Sequence, residues 1–138
     1  MLFILFFLAL LASPAVEAKD LPGPYLAKVT RVIDGDTFEA RIHIWLGQEA
    51  LTLVRLRGID APELRGKCPN ESEAAKAARD HLVVLLEEGF VFLTDVGADK
   101  YGNRILANAR LPSGQDIATQ MLNSGYAQSA GTSRKKRC

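Results

Sequence analysis

The chain is expected to fold as a mainly β domain with helices, a five-stranded Greek-key barrel of the OB-fold type. Three observations predict it. Five apolar runs have the length and residue content of strands. A helical pattern falls between the third and the fourth, as in that partly open barrel. Glycine- or aspartate-centred turns separate the runs, and no internal repeat or low-complexity linker interrupts them.

The first two runs, residues 25–33 and 37–46, flank Asp34-Gly35, a strong hairpin signal. Gly47-Gln48 makes the next turn, and residues 51–57 form the third strand. Asn70 is the expected N-cap of the first helix, with Glu73 completing a capping-box-like pair. Ala74, Ala78, Leu82, Leu85 and Leu86 then recur at helical spacing until Gly89 supplies a stop. Residues 90–96 and 104–111 are the fourth and fifth strands, joined across a polar loop. Residues 116–124 form a short helix with Ile117, Met121 and Leu122 inward, ended by Gly125. Phe38, Phe90 and Phe92 are expected in the core, and Trp45 at the core or its rim. His43 and His81 are read as surface or packing positions.

The N-terminal end reads differently. Residues 2–12 are an unbroken apolar run, too short to span a bilayer comfortably. Ser13-Pro14 follows, then Val16 and Ala18 at the −3 and −1 positions of a cleavage before Lys19. This predicts a secretory signal peptide over residues 1–18 and one mature domain over 19–138, although the n-region lacks Lys or Arg. An uncleaved envelope anchor is the rival reading. The chain of 138 residues less these 18 leaves 120, enough for a single core. Losing Glu17 moves the formal charge from +1 to +2, too balanced to indicate nucleic acid by itself. The cluster Arg134-Lys135-Lys136-Arg137 reads equally well as a solvated tail. Cys68 and Cys138 are the only cysteines. In an exported chain they are expected to pair, and neither has zinc-ligand spacing.

The chemistry lies in Asp34-Gly35-Asp36-Thr37 and in Arg55-Leu56-Arg57-Gly58-Ile59-Asp60-Ala61-Pro62-Glu63. Each group follows a β-like run and carries carboxylates that a strand interior would not choose. Taken singly, Asp34 and Asp36 read as turn residues, and Asp60 as the start of a loop. Taken together, Asp36, Asp60 and Glu63 with Arg55 suit a hard cation and a phosphodiester. Oxygen ligands favour Ca²⁺, and a guanidinium fork favours phosphate. In that reading Asp36 and Asp60 hold the cation, Glu63 activates water, and Arg55 and Arg104 donate to the phosphoryl oxygens.

With Ile33-Asp34-Gly35-Asp36-Thr37, Arg55, Ile59-Asp60-Ala61-Pro62-Glu63, Asp99-Lys100-Tyr101-Gly102 and Arg104, the chain resembles the staphylococcal nuclease (thermonuclease) family from Leu26 to Gln128. The resemblance implies a Ca²⁺-dependent nuclease acting on DNA and RNA. It implies Asp36, Asp60 and the carbonyl of Ala61 as metal ligands, and Glu63 as the general base. Arg55 and Arg104 would clamp the phosphate, and Lys100 and Tyr101 would contact a terminal phosphate. The expected protein is secreted or periplasmic, monomeric, and free of the membrane once its leader is removed.

Three features depart from the family pattern. Asn103 separates Gly102 from the arginine, where the best-known member has no residue. The family's aromatic pair after the second helix is missing, since residues 128–133 contain no Tyr, Phe or Trp. A long third helix is also missing. Stacking contributes roughly 1–3 kcal/mol per base, so weaker nucleotide affinity is expected. The alternative from the binding class is a catalytically weak OB-fold of the envelope that holds nucleic acid or glycan. It has no need of Glu63 beside two arginines.

Overall fold

The computed structural model describes residues 14, 15, 17, 19–65 and 68–132. The expected leader therefore falls almost wholly outside the described residues, and Cys138 with the basic tail entirely so. Seven strands and two helices follow in the order β1 (Tyr25–Asp34), β2 (Thr37–Trp45), β3 (Gln48–Leu56), β4 (Ile59–Asp60), α1 (Pro69–Leu85), β5 (Phe90–Ala98), β6 (Arg104–Arg110), α2 (Ile117–Asn123) and β7 (Gln128–Ser129).

Five of the strands close a barrel in the order β1-β2-β3-β6-β5, as the sequence predicts. β1 to β3 form an antiparallel meander, β3 pairs β6 in parallel, and β5 closes onto β1 with Tyr25 opposite Leu93. The parallel step requires the chain to leave the sheet and return, and α1 and β5 make that excursion. Before β1, Leu21 bridges Val96, and Asp20 pairs with Arg57 at 2.6 Å, so the entering segment is strapped along β5.

Phe38, Val54, Leu56, Val91, Leu93, Ala107 and Ala109 point into the barrel with no exposed surface. Ala78 and Leu82 of α1 and Ile117 and Met121 of α2 pack into the same core. Truncating a fully buried side chain such as Phe38 or Leu82 removes contacts on every side, which costs about 2–5 kcal/mol.

Four local expectations are corrected. First, α1 begins two residues earlier than expected: Cys68 is its N-cap, in extended backbone, and no side chain caps the helix. Pro69 takes the first helical position because its φ is already helical and it has no N–H to leave unpaired. Asn70 thus lies inside the first turn, and the Asn70/Glu73 box does not cap the helix. Second, Phe90 is exposed and Phe92 only partly buried, while Val91 and Leu93 fill the interior. Phe-Val-Phe-Leu is apolar on both faces, so alternation alone left the inward face undecided. Third, Trp45 is 71% exposed at the tip of the β2–β3 hairpin. Fourth, a second, two-stranded sheet of β4 and β7 stands beside the barrel, with Ile59 opposite Ser129 and Asp60 opposite Gln128. Two-residue strands leave no periodic pattern to read.

His43 is exposed on β2. His81 on α1 stacks on Tyr126 with ring centres 4.3 Å apart, and its Nε2 lies 3.1 Å from Ser124 Oγ, so it packs α1 against the end of α2.

Candidate active site

The ends of β1, β3 and β4 and the turn before β6 surround one cleft of about 860 Å³. Asp34, Asp36, Arg55, Asp60, Ala61, Glu63, Lys100, Tyr101 and Arg104 all line it. Every site residue named from the sequence is therefore in one place, although Asp36 and Arg104 are 68 positions apart.

Asp36 sits in the turn between β1 and β2 and is almost fully buried. Its two carboxylate oxygens are held from different sides. Thr37 Oγ1 donates to Oδ1 at 2.9 Å, and the Ala61 N–H donates to Oδ2 at 2.8 Å. The Asp36 carbonyl accepts from the Leu56 N–H at 2.9 Å, which ties the turn to the end of β3. A buried carboxylate needs such donors, because losing water without replacement is costly. Asp60 is fixed by β4 against β7, with the Ala130 N–H donating to the Gly58 carbonyl at 2.9 Å beside it.

Arg55 enters the cleft from β3, opposite Thr37. Its Nη1 donates to the carbonyls of Leu56 at 2.9 Å and Ile59 at 2.7 Å. Its Nη2 donates to Asp60 Oδ1 and lies 3.4 Å from Asp36 Oδ2. One guanidinium thus gathers two carboxylates and the β3–β4 turn into a rigid unit. Arg104, at the start of β6, donates through Nε to Asp99 Oδ2, and its guanidinium carbon lies 4.8 Å from the centre of the Tyr101 ring. Lys100 Nζ lies 5.3 Å from the same ring.

The extra residue Asn103 is taken up within the turn. The Arg104 N–H donates to the Tyr101 carbonyl at 3.1 Å, and the Asp99 N–H donates to the Arg104 carbonyl at 3.3 Å. β6 keeps its register beyond it, with Arg104 opposite Leu53 and Leu106 opposite Arg55. Arg104 and Leu106 accordingly face the cleft while Ala107 and Ala109 fill the core.

Two carboxylates had no assigned role in the sequence and belong to the site. Asp34 faces the cleft two residues before Asp36. Burial first, and then the Asp36 charge, push its carboxyl above the ordinary 3.8; Glu63 adds to this, while a Leu64 backbone hydrogen bond and Arg55 oppose it. Asp99 anchors Arg104. Burial would raise its carboxyl, but the Arg104 hydrogen bond, the Lys100 N–H and the charges of Arg104 and Arg55 together hold it below 3.8. Spacing carried both signals: Asp34 is two residues from Asp36, and Asp99 precedes the arginine in a short turn.

The donor set suits a hard divalent cation. Asp36, Asp60 and the Ala61 carbonyl offer oxygen only, and Arg55 already places a positive charge between the two carboxylates. Among the described residues no three His, Cys, Asp or Glu side chains cluster closely enough to chelate a metal by themselves. Glu63 is exposed at the lip of the cleft, beside this group.

No curated protein gives a significant match to this chain. Residues 53–137 match the model of the staphylococcal nuclease homologue family. The match begins inside β3, so Asp36 lies upstream of it and is tied to the matched part by its bonds to Leu56 and Ala61. It covers well over half of the chain, and the closed barrel with its two helices is the architecture the resemblance implies: this chain belongs to the staphylococcal nuclease homologue family.

Proposed function

We propose that the protein is a Ca²⁺-dependent nuclease that hydrolyses phosphodiester bonds of DNA, RNA or both. The observation that carries this reading is the convergence of Arg55, Arg104, Asp36, Asp60 and Glu63 on one open cleft. Two guanidinium groups suit a phosphodiester, and nothing in a binding-only module calls for an exposed carboxylate in the same cleft.

Asp36 and Asp60, with the Ala61 carbonyl, hold the cation. When bound there, Ca²⁺ supplies charge neutralisation and polarisation of the phosphoryl oxygens. Arg55 and Arg104 bind the scissile phosphate and stabilise the charge that grows on it, each by charge-assisted hydrogen bonds that strengthen as the charge develops. Glu63 accepts a proton from the attacking water, or orients that water toward phosphorus. Lys100 and Tyr101, on the turn that carries Arg104, contact a terminal phosphate at the edge of the cleft. Among the described residues Tyr101 is the one aromatic side chain lining the cleft, so base recognition is one-sided and weak.

The same reading covers the whole chain. Residues 1–18 serve as a secretory signal, 19–138 form the mature domain, and the product is a secreted or periplasmic monomer. Cys68 and Cys138 pair in the oxidising compartment and fasten the C-terminal tail near the loop that follows Glu63.

Nicking of supercoiled DNA with Ca²⁺ and with a chelator tests the reading, with Glu63→Gln alongside. Cleavage should require Ca²⁺ and fall by on the order of 10²-fold in the variant, the scale of a positioned base. Metal-independent cleavage, or a fully active Glu63→Gln protein, refutes the respective assignment.

A further inference from the structure

Four basic side chains line the cleft, and only two of them, Arg55 and Arg104, are tied to its carboxylates. Strand register lays out the cleft floor. Asp34 lies opposite Thr37, Thr37 opposite Arg55, and Arg55 opposite Leu106, in one row across β1, β2, β3 and β6. All four of these residues line the cleft. At the usual spacing of neighbouring strands the row is roughly 14 Å long, which exceeds the width of a single phosphate group. Arg55 stands inside the row, and the other two cations stand beyond its ends.

At the β6 end, Lys100 sits on the turn that carries Tyr101 and Arg104. At the β1 end stands Arg65, exposed on the loop that follows β4. The backbone of Leu64 hydrogen-bonds to Asp34, the last residue of β1, and this fastens the loop to that end of the row. Among the described residues, neither Arg65 nor Lys100 makes a salt bridge. Asp34 and Glu63 are the acids at the β1 end. Asp34 is engaged by the Leu64 bond, and Glu63 is the carboxylate proposed to act on the attacking water. No aromatic side chain lines this end, since Tyr101 is on the opposite flank.

We infer that Arg65 binds a further phosphate of the substrate, one linkage beyond the scissile bond on the side away from Lys100, and so favours a polynucleotide over a dinucleotide. The inference rests on the nuclease reading and extends it from the reacting phosphate to its neighbour. Arg55 and Arg104 must give up or share a carboxylate to meet a phosphate, whereas Arg65 gives up only water. Its planar fork suits the two non-bridging oxygens of a phosphodiester. With no ring beside it, Arg65 reads backbone charge and not base identity, so its contribution is independent of sequence. Lys100, the paired arginines and Arg65 thus form three successive stations for three phosphates of one strand.

Two fluorescein-labelled probes separate the stations: trithymidylate with a terminal phosphate offers all three phosphates, and dithymidylate with a terminal phosphate lacks the outermost. Binding of each to the exported protein is followed by anisotropy in chelator over a range of salt concentrations. The parent should bind the longer probe about threefold to fivefold more tightly, the upper scale of an exposed ion pair. Arg65→Gln should erase that preference and leave affinity for the shorter probe unchanged. It should also lower the slope of log affinity against log salt for the longer probe by about 0.7, the loss of one single-strand phosphate contact. Arg65→Lys should keep the slope, because the slope counts charge. A parent that binds both probes equally, an Arg65→Gln protein that keeps the preference, or an equal loss with both probes overturns the inference. Nicking of supercoiled DNA by the same preparation keeps the two readings apart: the expected binding pattern without any cleavage supports the Arg65 contact and counts against the nuclease reading alone.

Discussion

Gly35 offers the most direct test of how the fold holds the carboxylates of the candidate site. As the glycine of an Asp-Gly turn, it reads as a residue chosen for positive φ. The structure gives another reason: among the described residues seven glycines have positive φ, and Gly35 is not one of them. A Cβ at this position would lie 2.6 Å from Ala78 Cβ, 2.9 Å from Ala61 Cβ and 3.2 Å from the Ala78 carbonyl carbon. Both neighbours are alanines, so no side chain can rotate away, and α1 or the Asp60–Ala61 segment must move. Overpacking of this kind costs about 1–3 kcal/mol. The smaller unfolded-state entropy of alanine returns about 0.4–1 kcal/mol. Gly35→Ala should therefore lose about 1–2 kcal/mol, or roughly 4–10 °C in Tm for a domain of this size.

The displacement also reaches the site, because the Ala61 N–H is bonded to Asp36 Oδ2. Cleavage by the folded variant should fall at least about tenfold, since misplacement by 1 Å can cost 10²-fold. Urea unfolding followed by circular dichroism and DNA cleavage at a temperature where the variant is folded give the two readings. Adding Ala78→Gly removes the tightest contact, so a double-mutant cycle should show a favourable coupling of at least about 0.5 kcal/mol. A Gly35→Ala protein with parent stability, or a cycle without coupling, would refute the packing argument and restore the turn explanation.

Other outcomes follow from the same geometry. Arg104→Lys should lose DNA cleavage by at least about tenfold with little change in Tm, because an ammonium cannot keep the planar contact to Asp99 and phosphate together; near-normal cleavage by Arg104→Ala would remove it from the clamp. Asp34 titrates above its ordinary 3.8 in the folded chain, so its contribution to stability is complete below that value and is lost as pH rises through the folded value. Asp34→Asn should accordingly stabilise the metal-free protein at pH 7 but not at pH 3, as urea midpoints at the two values will report. Free-thiol titration of the unreduced exported protein should find no reactive thiol at Cys68 or Cys138, and two reactive thiols would end the disulfide proposal.

The barrel was legible because its strands carry period-two patterns and strong turns, and because α1 carries one clear apolar face. The site was legible through charge in the wrong place: Asp36, Asp60 and Arg55 stand at strand ends where burial alone would select apolar residues. What stayed hidden depended on tertiary pairing. β4 and β7 are two residues each, and only their mutual hydrogen bonds define them. The inward face of β5 could not be read, because Phe90, Val91, Phe92 and Leu93 are all apolar and shape decides among them: Val91 and Leu93 fit inside the small barrel, and the phenylalanines lie outside. The spacing of Asp99 before Arg104 marks it as a neighbour of the site, but its role as the arginine's anchor depends on the folded turn that brings the two together.

The resting cleft is electrostatically self-paired, and this bears on how it takes substrate. Arg55 is held by Asp60 and Asp36, and Arg104 by Asp99, so neither guanidinium meets a phosphate without giving up or sharing a carboxylate. For Arg55, the carboxylates it would release are the two proposed to hold the cation. Cation and phosphate thus compete for opposite ends of the same ion pairs, and each relieves the cost of binding the other. Coupling of this kind is reciprocal and amounts typically to about 1–3 kcal/mol, or 5–150-fold in affinity. Calorimetric titration with a nucleoside monophosphate should show binding at least about fivefold tighter at saturating Ca²⁺ than in chelator, with the same factor for Ca²⁺ when the nucleotide is present. Arg55→Gln removes the shared partner, so it should abolish the coupling while leaving Ca²⁺ binding measurable. Nucleotide affinity indifferent to Ca²⁺ in the parent protein would show that the Arg55 pairs do not link the two sites, and the phosphate clamp would then rest on Arg104 alone.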